Sequence, residues 1–312
     1  MLPSLYLGTS IAISWAWGTS LILGLEIART KGLESFLIWA TANCLTLAVF
    51  GILYKKGILR SEVLDQKGVK IVANLIQLFC LIIQLKILNE TLQSFFNPID
   101  SYVVTLFFSG GLVLWMYRKG LAASILTDWY QGIGTLLVLG SMVLICLLSQ
   151  EAQATPASSL SDISWGLWSG CILFSGIMTD IQHWQRAEVN KKGYAFECAS
   201  VLFAIYLSLV FFLSKYQFTE FLNLLLLLAV IGVTTSTIDS IAVALHRDFG
   251  RKLGTWIAMV ICFGYQILVD LSVLNLWSYF GIIRVGLALY ILYWCVTQRY
   301  AIKLRSGCRS IQ

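Results

Sequence analysis

Three polar islands in this sequence carry the residue types that do chemistry inside a membrane. SGIMTDIQHWQRAEV (175–189) follows an apolar run and, within about two helical turns, sets down Thr179, Asp180, Gln182, His183, Gln185 and Arg186. ILTDWYQG (125–132) carries Thr127, Asp128 and Gln131, and TTSTIDS (234–240) places four hydroxyls ahead of Asp239. A charged carboxylate at the centre of a membrane helix costs about 2.5–3.5 kcal/mol, so such groups are paired or functional. Neighbouring hydroxyls such as Ser236 and Thr237, joined by carbonyls freed at a helix break, suit a hard cation such as Na⁺. The competing use is back-bonding to the carbonyl four residues earlier. For Asp180 the competing use is an ion pair with Arg186 or a basic loop that merely fixes a helix end.

The elements that must position these residues follow from hydropathy. Hydrophobic residues make up 58% of the 312 and charged residues 12%, a composition of membrane type. Runs of about 20 apolar residues, each able to cross ~30 Å of hydrocarbon, recur at 4–28, 33–54, 69–91, 98–117, 120–149, 163–186, 195–214, 219–246, 253–275 and 277–298. They are too long and too uniformly apolar for barrel strands, so the expected fold is all-α with ten transmembrane helices. The first run has no basic leader and no small-residue cleavage site, and is taken as the first span. Of the eight cysteines none forms a CxxC or Cys/His spacing, and they read as small core residues. With only His183 and His246 present, both near the inner face, the sequence argues against haem, copper or zinc chemistry in the membrane.

Basic residues orient the chain. With a cytoplasmic N-terminus the inner side holds Lys55, Lys56, Arg60, Lys67, Lys70, Arg118, Lys119, Arg186, Lys191, Lys192, Arg247, Arg251, Lys252, Arg299, Lys303, Arg305 and Arg309, which is 17 of the 22. The outer side has Arg29, Lys31, Lys86 and Lys215, and Arg284 lies within the last span. This bias places both termini in the cytoplasm of a cell (inner) membrane. It also accounts for the +6 net charge without nucleic acid. Lys86 and Arg284 lie at the depth of Glu26 and Asp270, which makes ion pairing their simplest use and an outer vestibule for an anion the alternative. Trp165, Trp277, Tyr279 and Tyr300 are assigned to interfacial belts.

The longest loop, near 150–162, divides the chain into a first repeat (1–149), a second (163–298) and an inner tail (299–312). Five spans on each side force the second set to be inverted, an arrangement characteristic of secondary transporters whose first helices are interrupted at the midplane. Spans 1 and 6 would then be interrupted, with Gly18, Thr19 and Ser20 at mid-membrane and Ser175–Gly176 as the second break.

On these residues the chain resembles the sodium/solute symporters. TDIQHWQR (179–186) resembles the family's T-D-x4-Q-R in span 6. KGLAASILTDWYQG (119–132) resembles its G-G-L-x-A-V-x-x-T-D-x-x-Q-G in span 5, and TTSTIDS its S-T-x-D-S in span 8. SWAWGTSLILG (14–24) and QLK (84–86) are weaker echoes. The resemblance implies a minimal ten-helix member of the five-plus-five inverted-repeat fold, without the family's extra helices or the aromatic cluster of its sugar carriers. It implies a Na⁺ site of backbone oxygens near Ser14, Trp17 and Val233 with the hydroxyls of Ser236 and Thr237. Asp128 and Asp239 would then serve ion exit or a second ion site. The solute pathway would include Trp15, Gly18, Thr19, Gln84, Gly176 and Asp180. The function implied is Na⁺-coupled symport of a small polar solute, with no covalent chemistry. A proton-coupled carrier on the same fold, in which Asp128 or Asp239 titrates, and a non-transporting membrane sensor or scaffold are the rivals. No nucleophile–base or metal constellation supports a membrane-embedded enzyme.

Overall fold

The computed structural model describes the backbone at 2–149, 151–190, 193–265 and 273–309, and the side chains of 4–149, 151–190, 193–265 and 280–299. Among the described residues every regular element is a helix: α1 (Leu2–Trp15), α2 (Gly18–Thr30), α3 (Gly32–Lys55), α4 (Lys67–Leu92), α5 (Pro98–Lys119), α6 (Leu121–Ser149), α7 (Leu160–Thr179), α8 (Ile181–Val189), α9 (Ala195–Ser214), α10 (Glu220–Gly264) and α11 (Val273–Arg309). A short 3-10 turn, Ser61–Asp65, precedes α4. Seven of the helices are long and apolar enough to cross a membrane, and α1 with α2 makes an eighth, broken span bent by 65°. The protein is therefore an all-helical, multi-pass membrane protein. The last helix continues through the expected tail to Arg309.

Local sequence sets the helix limits. Pro98 opens α5, where the Asn97 side chain accepts from the N–H groups of Ile99 and Asp100, meeting donors that the first turn leaves over. Ser159 and Asp162 form a capping box at the start of α7, each side chain serving the other's backbone N–H. The loop before it is tied to the start of α3: Ser158 Oγ donates to the Lys31 carbonyl at 2.6 Å, and its N–H donates to Glu34 at 3.2 Å.

The expected inner loop at 247–252 is a one-residue reversal inside α10. Gly250 has φ 73° and ψ 161°, a conformation that glycine adopts without the Cβ penalty. His246 Nε2 lies 2.9 Å from Thr255 Oγ1, although nine residues of straight helix would span about 13.5 Å. The two limbs of α10 thus fold back on each other.

The second half-helix break also falls elsewhere than expected. Ser175 and Gly176 lie inside α7, and the chain leaves helical geometry at Asp180 (φ −101°, ψ 101°). A glycine with helical neighbours stays helical when packing holds it, and Gly176 is held under the Trp15 ring. In the assembled bundle α1 packs on α9 and α6, α3 on α7 and α9, α10 on α4, α5 and α6, and α11 on α7 and α4.

Candidate functional site

The first break is a place where helical hydrogen bonding stops inside the core. α1 ends at Trp15 and α2 starts at Gly18, with Trp17 between them at φ 20° and ψ 145°. For a bulky residue this backbone is an outlier of the kind that clusters at functional sites. The Gly18 N–H, the first orphan donor of α2, is taken by Gln84 Oε1 of α4 at 2.9 Å. A Cβ on Gly18 would lie 3.3 Å from that oxygen and 3.4 Å from Thr234 Oγ1 of α10. Glycine is what allows the side chains of α4 and α10 to approach the break this closely.

The second break faces the first. Trp15 Nε1 donates to Asn43 Oδ1 at 3.2 Å, and its ring meets the His183 ring edge-on at 5.3 Å between centroids. A Cβ on Gly176 would lie 3.1 Å from the Trp15 ring and 3.4 Å from Arg284 Nη1. Asp180, fully buried, accepts from Gln182 Nε2 at 2.7 Å through Oδ2, and His183 Nδ1 lies 3.2 Å from the same oxygen. That contact is close enough for ion pairing but out of line for a hydrogen bond. Asp180 Oδ1, His183 Nε2 and Asn43 Nδ2 are buried with no hydrogen-bond partner. The Arg284 guanidinium stacks over the Trp17 ring at 5.0 Å and donates to Cys80 Sγ at 2.8 Å. Beside it lies a small apolar pocket bounded by Trp17, Ile76, Phe79, Cys80, Ile83, Ile172, Phe280 and Arg284.

A third polar group joins α1, α6, α8 and α10 beneath the breaks. Asp128 accepts from Ser10 Oγ (2.5 Å), Ser236 Oγ (2.5 Å) and Arg186 Nη2 (2.6 Å). Arg186 also donates to Ser10 at 3.0 Å and to Ser240 at 2.7 Å. Asp239 accepts from Ser124 at 2.7 Å and from Thr127 at 2.8 Å. Asp128, Asp239 and Arg186 are all fully buried. One guanidinium therefore serves two carboxylates, directly at Asp128 and through shared hydroxyls at Asp239, and the cluster carries one surplus negative charge when both are ionised.

Several sequence expectations change here. Arg186 pairs with Asp128 rather than with Asp180, because α8 leaves the break with Arg186 pointing at α6 and α10. Lys86 pairs with Glu90 one turn on, at 3.6 Å, while Glu26 is exposed. Asp270 lies outside the described residues, as do the side chains of Trp277, Tyr279 and Tyr300. Thr234, Thr235 and Thr237 donate to carbonyls of their own helix, Ser236 donates across to Asp128 of α6, and Thr235 Oγ1 also accepts from Gln131 Nε2 of α6 at 3.0 Å. Their protons are thus committed, but each hydroxyl keeps lone pairs for a cation. Ser14 and Val233 are fully buried, and Ser14 Oγ donates to the Ile11 carbonyl. Thr19 is buried at the first break.

Ser10, Ser124 and Asn43 were given no role in the sequence, and Ser240 entered only as the end of the TTSTIDS motif. Helical spacing carries a signal for two of them, since Ser10 lies four residues before Ser14 and Ser124 four before Asp128. Ser240 adjoins Asp239, and nothing local marks Asn43. No protein-family model matches the chain, and no curated protein does.

Proposed function

We propose that the chain is a Na⁺-coupled secondary transporter of a small polar solute, working by alternating access. The observation that carries this reading is the meeting of two interrupted helices. Trp15 at the end of α1 lies against Gly176 and His183 on either side of the α7/α8 break. Half-helix ends turned toward each other supply freed backbone groups for ion and solute, and rocking of one half against the other exposes them alternately.

Ten spans follow if the two limbs of α10 count separately and α7 with α8 forms a second broken span. The packing supports an inverted repeat. α3 lies on α7 and α9 lies on α1, and α6 lies on α10 as α11 lies on α4, so each pair exchanges with its counterpart. The coupling site is the stretch between α1 and α10. Ser10 and Ser236 are bridged by Asp128, and Gly18 approaches Thr234. Ser14 lies between Ser10 and Gly18 in the chain, and in this reading the oxygens of Ser236 and Thr237, with carbonyls near Ser14, Trp17 and Val233, form the Na⁺ site.

Proton coupling is the second reading, favoured by the surplus carboxylate beside Arg186. Purified protein decides between them. The Na⁺ reading requires thermal stabilisation and solute uptake that Na⁺ supports and K⁺ does not. Uptake that follows a pH gradient without Na⁺, and is lost in Asp128→Asn or Asp239→Asn, replaces Na⁺ by H⁺. Topology is tested at Ala157→Cys, exposed in the central loop. Labelling of intact cells supports cytoplasmic termini, and labelling only after lysis overturns the ten-span arrangement.

A further inference from the structure

We infer that a phospholipid with an anionic headgroup docks where the α5/α6 turn meets the reversal of α10, its phosphate bridging two pairs of basic residues. This site needs only the multi-pass fold and is independent of the transporter reading. Two one-residue reversals of similar backbone shape lie side by side there. Gly120, between α5 and α6, has φ 69° and ψ −159°, and Gly250 has φ 73° and ψ 161°. A Cβ on Gly120 would lie 3.7 Å from Arg251 Nη2. A reversal between two apolar helical limbs belongs at the membrane surface, where its backbone groups reach water.

Each reversal carries two adjacent basic residues, Arg118 and Lys119 before Gly120, and Arg251 and Lys252 after Gly250. All four are exposed. Among the described residues none of them pairs with a carboxylate. Asp248, three residues before Arg251, is already engaged by Asn74, Lys70 and Arg247. Four cations drawn together repel one another, and an anion between them removes that cost. The planar guanidinium fork matches the oxygens of a phosphate. Apolar neighbours mark this phosphate as part of a lipid. Trp115 lies four residues before Lys119, whose ammonium is 5.5 Å from its ring centroid, and Trp256 lies four residues after Lys252. Both indoles are exposed, as are Leu114 and Leu253. Basic heads above a rim of exposed tryptophan and leucine suit a headgroup whose acyl chains run down the helices. A soluble phosphate gains nothing from that rim.

Thermal unfolding of the purified full-length protein in mixed micelles tests the site. The probes are phosphatidylglycerol, phosphatidylcholine, glycerol 3-phosphate and inorganic phosphate at matched ionic strength. The expected result is a rise in Tm with phosphatidylglycerol alone. An equal rise with phosphatidylcholine assigns the effect to acyl chains, and an equal rise with either soluble phosphate assigns it to a free anion. Either result, or no response to phosphatidylglycerol, overturns the assignment. In Arg118→Gln/Lys119→Gln/Arg251→Gln/Lys252→Gln the half-saturating mole fraction of phosphatidylglycerol rises at least about tenfold. Lys56→Gln/Lys67→Gln, which removes exposed basic residues elsewhere, keeps the response of the parent. An equal loss in that control reduces the effect to net charge and overturns the site. The lipid series on the parent protein decides even where the fourfold variant fails to fold.

Discussion

The two helix breaks are built by opposite means. At Trp17 the chain bends 65° with no charged residue of its own, and the exposed end of α2 is satisfied from outside by Gln84. At Asp180 a carboxylate sits in the break itself, partnered by its own next turn through Gln182 and His183. The first break offers neutral oxygens, which suit a small hard cation stripped of water. The second offers a charge, which suits a ligand that brings the opposite charge. Beneath both, Arg186 crosses from the second break to the carboxylate shared by Ser10 of the first and Ser236 of α10. The guanidinium therefore ties α8, which starts at the second break, to α1, α6 and α10.

The largest effect should come from cutting that link. Arg186→Gln leaves Asp128 and Asp239 buried without a cation and should cost roughly 3–5 kcal/mol, read as a fall in Tm. Adding Asp128→Asn should recover part of the loss, the signature of a direct pair in a double-mutant cycle. Full additivity of the two changes would break the idea that Arg186 joins the halves through Asp128.

The external support of the first break is next. Gln84→Leu leaves the Gly18 N–H buried and unpaired, a cost of about 1–3 kcal/mol. Hydrogen exchange should quicken at the start of α2 and stay unchanged at α8. An equal change at both breaks would mean that they are one cooperative unit rather than two differently built ones.

Ion affinity is the third lever. Ser236→Ala and Thr237→Val should each raise the Na⁺ concentration for half-maximal uptake or stabilisation at least about tenfold, about 1.4 kcal/mol. A loss at Ser236 alone would assign the effect to its bond with Asp128, because Thr237 donates within its own helix.

The smallest effect lies outside the membrane-spanning core, at the start of α7. Hydrogen bonds from the Ser159 side chain and backbone, with Lys31 nearby, hold the Asp162 carboxyl below its ordinary value of 3.8. A carboxyl depressed by folding contributes stability that is present above the unfolded value and is lost as pH falls through the folded one. Amide exchange at 159–163, corrected for its intrinsic pH dependence, should therefore lose protection only in acid below pH 3.8. Ser159→Ala should weaken protection at neutral pH and flatten that acid-side loss.

Much of the helical, membrane-type architecture was legible because apolar length acts locally. Chain chemistry alone selects helices in a bilayer, while the caps at Asn97 and Ser159 and the reversal at Gly250 came from the structure. The polar islands at Asp128, Asp180 and Ser236–Asp239 were equally visible, because charge and consecutive hydroxyls stand out against hydrocarbon. Which of them meet was not visible. Arg186 lies six residues from Asp180, yet it pairs with Asp128, 58 residues away. The bundle decides that choice, since the direction in which α8 leaves its break sets what a long side chain can reach. Gly176 looked like a hinge and stays helical under Trp15, while Asp180 breaks the helix, because packing from another element outweighs a single residue's freedom. Composition and periodicity thus determined the class of protein and its candidate chemistry. Partners, break positions and the facing of Trp15 on His183 belong to the tertiary structure, because they depend on contacts between segments that no local pattern records.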